Sequence, residues 1–248
     1  MSTHYLKNSK LLAEIAKSKA SYCWFASPDF AAPTGHITTL YGPFQPGMSP
    51  FVEGAILRYY TYEHIAASDL KNRARDPAAK GKHPVNFPPF KHLLVRDGEL
   101  VEVGRSHWRG DLETGHFSPD HGRITNDLAT ALMMISDRYS RRSNWGGYTY
   151  RDEMAADALV HLVRVALRFN EGKGNNPFSF YTTTTYNEFL RTQRAEKAQQ
   201  GIRDDLLFIA GRLPSITRQI EMENPTYKHG PVRGPGKPKS RADGKIAA

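Results

Sequence analysis

The residues with the clearest capacity for chemistry lie in one segment, FSFYTTTTYNEFLRTQRAEK, residues 178–197. On a helix, at about 100° per residue, this segment separates into two faces, one of which combines hydroxyl, amide and guanidinium groups with one aromatic ring. These groups suit DNA, because arginine binds phosphates and guanine edges, asparagine reads adenine, and threonine methyls and aromatic rings contact thymine or stack on bases. The alternative is a polar face that meets only water. The predicted DNA-binding residues are Phe180, Thr183, Thr184, Asn187, Arg191, Arg194 and Lys197.

A helix must position these side chains, although the β-branched and aromatic residues of FSFYTTTTY would favour a strand on propensity alone. Asn176-Pro177 is typical of a cap followed by proline in the first helical turn, and one 3.6-residue period fits both halves of the segment. The face opposite the polar one is predicted to pack in the core through Phe178, Tyr181 and Phe189.

A second group of reactive side chains lies in SHWRGDLETGHFSPDHGR. Histidine and carboxylate groups can bind a divalent ion, and Asp120-His121 is similar to the start of a metal-dependent nuclease motif. The downstream Asn and His that such a motif needs are missing, so a polar loop is the favoured interpretation, with no metal ligand assigned. The residues of this group are His107, Asp111, Glu113, His116, Asp120 and His121.

Three elements are expected before residue 120. A short amphipathic helix should follow an Asn8 cap. Ser49-Pro50 is typical of a cap with proline at the first helical position, which predicts a long helix through FVEGAILRYYTYEHIAASDLKNRAR. Asp97-Gly98 lies between two β-prone runs and predicts a hairpin.

From Thr125 onward the hydrophobic period is helical. A first helix should start there, and Thr149 with Asp152 predicts a capping box for a second helix. After the DNA-binding segment, two short amphipathic stretches flank an Ala210-Gly211 turn, with a cap at Pro214-Ser215. They are faintly similar to the end of a helix-turn-helix, but a packing hairpin is favoured because the first stretch is short and polar.

Composition limits the class of protein. The 248 residues are 39% hydrophobic and carry a formal charge of +9, which favours a globular chain with an anionic partner. The segment from Lys228 onward has six Lys or Arg against one Asp, which predicts a disordered cationic tail. The single cysteine, Cys23, fits a reducing compartment and is expected to be a small buried hydrophobe. No apolar run approaches a membrane span and no signal peptide is recognisable, so the prediction is a cytoplasmic protein without membrane contact.

Several stretches of the sequence resemble a known protein family. The stretch Gly147 to Lys197, GYTYRDEMAADALVHLVRVALRFNEGKGNNPFSFYTTTTYNEFLRTQRAEK, resembles the second conserved region of bacterial sigma factors, in particular the late-transcription sigma factors of T-even-like bacteriophages. YLKNSKLLAEIAKSK and ALMMISDRYSRRSNWGGYT resemble that family as well. The similarity covers roughly 100 of the 248 residues.

The resemblance implies a helical module that docks on the clamp helices of the largest subunit of the bacterial RNA polymerase core. It also implies that the module recognises an A/T-rich promoter element in an infected bacterial cell, with a phage coactivator left open as a further partner. No cofactor, no metal and no enzymatic activity are expected. By position, the implied polymerase-binding residues are Glu153, Ala156, Asp157, Leu159 and Val163.

Two departures from the family pattern limit what can be transferred. Thr184-Thr185 stands where primary sigma factors have a tryptophan pair that helps to open the duplex. The hydrophobic, acidic C-terminal peptide by which the phage family binds a sliding clamp is replaced by the basic tail. Strand opening and clamp coupling are therefore not assigned to particular residues.

Together these features predict a mainly α fold: a helical bundle like sigma region 2, with an inserted α+β subdomain containing a helix and a β-hairpin. The predicted function is a phage-type sigma factor, with a stand-alone DNA-binding transcription regulator and a metal-dependent nuclease as alternatives. The predicted organisation is an N-terminal helix at 1–26, the inserted subdomain at 27–119, the sigma-like helical domain at 120–200, a helical hairpin at 201–225 and a disordered basic tail at 226–248.

Overall fold

The computed structural model describes residues 6–37, 52–65 and 85–223. Of these residues, 51% are helical and 16% lie in strands. The prediction of a mainly α protein is therefore wrong, because a five-stranded mixed sheet accompanies the helices. Contacts divide the chain into two units, Met1–Thr192 and Gln193–Ala248. The predicted tail at 226–248 lies outside the described residues.

The sheet belongs to the first unit and has the strand order β1-β5-β4-β3-β2. Strands β2 and β3 are parallel, and the other neighbours are antiparallel. A separate two-stranded ribbon, β6 with β7, follows it. The strands are β1 (Cys23–Phe25), β2 (Gly35–Ile37), β3 (Ile56–Tyr60), β4 (Phe90–Arg96), β5 (Glu99–Ser106), β6 (Trp108–Arg109) and β7 (His116–Phe117).

The error in fold class arises at β3, which the sequence predicted as part of a long helix. All five residues of β3 are buried, and the strand pairs with β2 on one side and β4 on the other. A strand covered in this way lacks the alternation of polar and apolar residues that identifies strands locally. The predicted cap at Ser49-Pro50 lies outside the described residues.

The hairpin prediction is confirmed. Strands β4 and β5 are joined by a two-residue turn at Asp97-Gly98, with φ of 54° and 77°. Positive φ at both positions is what the right-handed twist of the flanking strands requires of a two-residue turn.

The helices are α1 (Asn8–Ala20), α2 (Asn126–Ser140), α3 (Arg151–Val165), α4 (Pro177–Ile209) and α5 (Ile216–Glu223). Helix α2 begins directly after Thr125, where a helix was predicted to start, and the Thr125 hydroxyl caps it by accepting the Leu128 N–H at 3.3 Å. Two expected caps are wrong: Lys7 rather than Asn8 precedes α1, and Tyr150 precedes α3 without a side-chain cap. Helix α4 runs without a break to Ile209, and the predicted turn at Ala210-Gly211 follows it, with φ of 67° at Gly211.

In the first unit, the sheet and the helices share one hydrophobic core. Tyr60 of β3 and Phe90 of β4 belong to the same buried cluster as Leu11 of α1, Leu132 of α2 and Tyr181 of α4. A second buried cluster packs the C-terminal end of α2 and the first half of α3 against α4. Its residues are Tyr139, Trp145, Met154, Ala158 and Phe189.

Three charged side chains lie inside this core. Lys19 of α1 donates from Nζ to the Phe169 carbonyl at 2.7 Å and to Glu171 Oε2 at 2.6 Å. Arg58 Nη1 of β3 lies 3.7 Å from the same carboxylate oxygen. Burial lowers the pKa of Lys19 to about 8, although Glu171 favours its charged form. Burial alone would raise the pKa of Glu171, but the two cations hold it below its usual value.

Candidate nucleic-acid interface

The predicted DNA-binding helix is held in place by one buried side, as its hydrophobic period indicates. Tyr181 is fully buried, and its hydroxyl donates to the Ala166 carbonyl at 2.8 Å. Phe189 is also fully buried and packs at 5.1 Å from the Trp145 ring. Both predictions of core residues are confirmed.

The third predicted core residue, Phe178, is 41% exposed, so that prediction is wrong. Its angle on the helix agrees with that of Tyr181 and Phe189, but it lies in the first turn of α4. Its backbone N–H donates to Oδ1 of Asn8, the first residue of α1, at 3.1 Å. Phe178 therefore lies where two helices begin, at the edge of the core.

The polar face of α4 is exposed where the sequence predicted it. Thr183, Asn187 and Arg191 are exposed, and Thr184 is half-buried. Phe180 is half-buried because its ring packs on Phe169, at a centroid distance of 5.7 Å. Phe180 is therefore partly a core residue, and only its outer edge is open to a ligand.

The threonine run fits a helix because its hydroxyls bond back to the preceding turn. Thr184 Oγ1 donates to the Phe180 carbonyl and Thr185 Oγ1 to the Tyr181 carbonyl, both at 2.9 Å, and Thr182 donates to the Phe178 carbonyl. Such bonds satisfy hydroxyl groups that otherwise compete with helical structure. Since the proton of Thr184 is already used, this residue offers a ligand its methyl group and an acceptor oxygen.

Arg191 is the cation of this face in the first unit, and two carboxylates surround it. Its Nε donates to Glu188 Oε1 at 2.7 Å, and its Nη2 lies 3.9 Å from Asp157 Oδ2 on α3. Thr192 Oγ1 donates to the same Asp157 oxygen at 3.2 Å. The i−3 spacing of Glu188 is visible in the sequence. The contact with Asp157 depends on how the two helices pack, and the sequence gives no local signal of it.

The other two predicted cations, Arg194 and Lys197, belong to the second unit. Both are exposed. Within the described part of the chain neither has an ion-pair partner, which distinguishes them from Arg191.

The predicted polymerase-binding residues lie on α3. Glu153, Ala156, Asp157 and Val163 are exposed, whereas Leu159 is half-buried and packs against the core. The sequence analysis missed Val160, which is 51% exposed and follows Ala156 by one turn. Helix α3 thus shows an apolar strip, Ala156, Val160 and Val163, beside acidic groups in its first half.

The candidate metal-binding residues do not assemble into a site. His107 is fully buried, with Nε2 3.2 Å from Asn86 Oδ1, and burial lowers its pKa to about 3. His121 Nδ1 lies 2.8 Å from the Ser118 carbonyl. Within residues 6–37, 52–65 and 85–223, no group of three or more His, Cys, Asp or Glu side chains could hold a metal ion.

Comparison of the chain with protein-family models, curated proteins and solved structures finds no match. Among the helices of the described residues, none combines the length and apolar character needed to cross a membrane.

Proposed function

We propose that the chain is a sigma-type initiation factor, which binds the core of a bacterial RNA polymerase and directs it to promoters with an A/T-rich upstream element. The observation that most supports this proposal is the two-sided environment of α4. Tyr181 and Phe189 are anchored in the core, while Thr183, Asn187 and Arg191 face solvent. The resemblance of residues 147–197 to sigma factors is the second support.

The same geometry accounts for why such a protein would need the polymerase. Arg191 is already paired with Glu188 and Asp157, so the face has a weaker positive field than its sequence suggests. Thr184 has no free proton to donate to a phosphate. Strand opening also costs base stacking, which the polymerase complex would have to offset. We therefore expect the free protein to bind duplex DNA weakly.

Asp157 connects the two proposed surfaces. It belongs to the proposed polymerase-binding face of α3, and it contacts Arg191 and Thr192 on α4. A polymerase group that binds Asp157 would remove one of the two carboxylates from Arg191. Docking on the polymerase would thereby strengthen the positive charge of the DNA-reading face.

The test is run-off transcription with bacterial core polymerase on a template pool whose upstream element is randomised, followed by sequencing of the transcripts. The full-length protein should enrich a defined A/T-rich element, and Asn187→Ala should change or abolish that enrichment. Lys10→Ala is the control, since Lys10 is an exposed α1 residue that pairs with Asp127 of α2 and belongs to neither proposed surface. Transcripts with no enrichment over core enzyme alone would refute the proposal.

A stand-alone DNA-binding regulator was the principal alternative. Helix α5 would have to serve as its recognition helix, yet α5 has only eight residues, and it exposes Ile216, Ile220 and Met222. A helix that reads bases normally presents polar side chains to the groove. Tight, sequence-specific duplex binding by the pure protein would nevertheless favour this alternative over the sigma-type proposal.

A further inference from the structure

Residues 193–223, which we call the C-terminal hairpin, expose an unusual number of large apolar side chains. Apolar surface exposed on this scale normally marks a binding interface. The hairpin also has no net charge, with five basic and five acidic residues, in a chain whose formal charge is +9. The exposed side chains are Ile202 (55%), Leu206 (61%), Phe208 (62%), Ile209 (81%), Leu213 (81%), Ile216 (75%), Ile220 (41%) and Met222 (54%).

The hairpin is held together by polar contacts rather than by its apolar groups. Asp204 accepts the Ser215 N–H at 2.8 Å and the Ser215 hydroxyl at 2.7 Å. Arg218 Nη2 donates to Asp205 Oδ1 at 3.0 Å, and Gln219 Nε2 donates to the Pro214 carbonyl at 2.6 Å. The contacts of Asp204 and Asp205 join α4 to Ser215 and α5 across the Gly211 turn. The apolar side chains are consequently left on the outside.

The outer surface has both a recess and projections. A groove of about 440 Å³ is lined in part by Phe208, Leu213 and Met222. Ile209 and Ile216, next to the groove in sequence, are among the most exposed side chains of the hairpin. One hairpin therefore contains both a groove and the exposed aliphatic side chains that could fill the same groove in a second copy.

We propose that the C-terminal hairpin binds a second copy of itself, forming a symmetric dimer through these apolar side chains. In a two-fold interface the same patch of each partner contacts its copy, so the patch must be complementary to itself. A surface with both a groove and projecting side chains meets this requirement. The balanced charge means that two copies of the hairpin do not repel each other strongly. Asp205 and Glu221 both lie within 4 Å of Arg218, so much of that charge is already paired.

The available area is sufficient. Eight aliphatic or aromatic side chains that expose on the order of 100 Å² each would bury roughly 800 Å² per protomer, which is the size of a standard stable interface. A nucleic acid or a strongly charged protein would fit these eight side chains poorly, because none of them is polar or charged. The residues that follow it, PTYKHGPVRGPGKPKSRADGKIAA, are mostly polar, glycine or proline and contain too few large apolar groups to cover the patch.

The experiment is sedimentation equilibrium of the full-length protein over a wide concentration range, at low and at high salt. We expect a reversible monomer–dimer equilibrium that high salt does not weaken, since apolar burial is not screened. Ile209→Glu and Leu213→Glu should each raise the dimer dissociation constant by at least about 30-fold, because each substitution occurs twice in a two-fold interface.

The matched control is Met133→Glu, which places the same charge at a 57%-exposed apolar position on α2. It should leave the dissociation constant unchanged, and circular dichroism should show that all three variants fold. A full-length protein that remains monomeric at the highest concentration reached would overturn the proposal. So would a control that weakens association as much as the hairpin variants. Neither result bears on DNA recognition by α4.

Discussion

At the scale of single residues, the cations of α4 differ in their surroundings although the sequence presents them alike. Arg191 has two carboxylate neighbours, Glu188 and Asp157, whereas Arg194 is exposed and, within the described residues, unpaired. A cation that is already paired gains less from a phosphate than a free one, because its existing contacts must be weakened first.

This difference predicts unequal effects on non-specific DNA binding. Arg194→Ala should weaken duplex binding by the free protein and reduce the slope of log affinity against log salt by about one. Arg191→Ala should have a clearly smaller effect, and Glu188→Gln should strengthen binding because it removes one of the two carboxylates beside the guanidinium. Fluorescence anisotropy over a salt series measures all three. Equal losses for the two arginine variants would contradict this account.

Two buried histidines, His92 and His107, and the half-buried His64 give the first unit a dependence on pH. Burial lowers the pKa of His64 to about 4, and the pKa values of His92 and His107 to about 3, from an ordinary value of 6.5. Between pH 4 and 6.5 the unfolded chain therefore binds protons at these positions and the folded chain does not. The free energy of unfolding must fall as the pH is lowered through this range.

His107→Asn tests this dependence at one position. The backbone at His107 has φ of 53°, a conformation that asparagine tolerates, and an amide can still bond to its neighbours. Each histidine should cost about 2 kcal/mol between pH 7 and pH 5, so the variant should lose less stability than the native chain over that interval. Urea unfolding at both pH values measures the difference. An unchanged pH dependence would show that His107 does not contribute.

At the scale of elements, local sequence signals predicted the turns and helix starts that depend only on neighbouring residues. The Asp97-Gly98 turn, the start of α2 at Thr125 and the start of α4 after Asn176 were predicted correctly, because each depends on a few adjacent residues. Strand β3 was predicted as helix because its identity depends on pairing with β4, whose partner residues lie 30 to 38 positions further along the chain. No local period reports such a partner.

In the candidate site, too, the sequence predicted features within one helix but not contacts between elements. The 3.6-residue period correctly assigned Thr183, Asn187 and Arg191 to the exposed side of α4. It could not show that Asp157 of α3 lies beside Arg191, nor that Phe178 falls at the edge of the core. Both facts depend on how α4 packs against other elements.

The anchoring of α4 predicts that Phe189 and Phe178 contribute differently to the free energy of unfolding. Phe189→Ala should reduce the free energy of unfolding by about 3–5 kcal/mol, since it leaves a cavity among buried aromatic rings. Phe178→Ala, at a 41%-exposed position, should cost clearly less. Urea denaturation monitored by circular dichroism compares them. Similar losses would mean that Phe178 is a core residue after all, as its position on the helix suggested.

At the scale of the first unit as a whole, the sheet is tied to the helices by the buried charges as well as by the shared core. Glu171 lies between Lys19 of α1 and Arg58 of β3, and the side chains of the two cations are only 3% and 4% exposed. A buried ion pair contributes little net stability when complete, but losing one partner leaves an uncompensated charge in the interior.

Glu171→Gln should therefore lower the free energy of unfolding by about 3 kcal/mol, because two buried cations lose their common counter-charge. Adding Lys19→Met should recover part of that loss, since it removes one of the two cations and substitutes an apolar side chain of similar length. Lys10→Met is the control: its pair with Asp127 is about 60% exposed and should be worth less than about 1 kcal/mol. Unfolding by urea, followed by both circular dichroism and tryptophan fluorescence, measures each variant. If the double variant is no more stable than Glu171→Gln alone, the buried charges act independently, and the sheet and helices are joined by their apolar core without a contribution from this cluster.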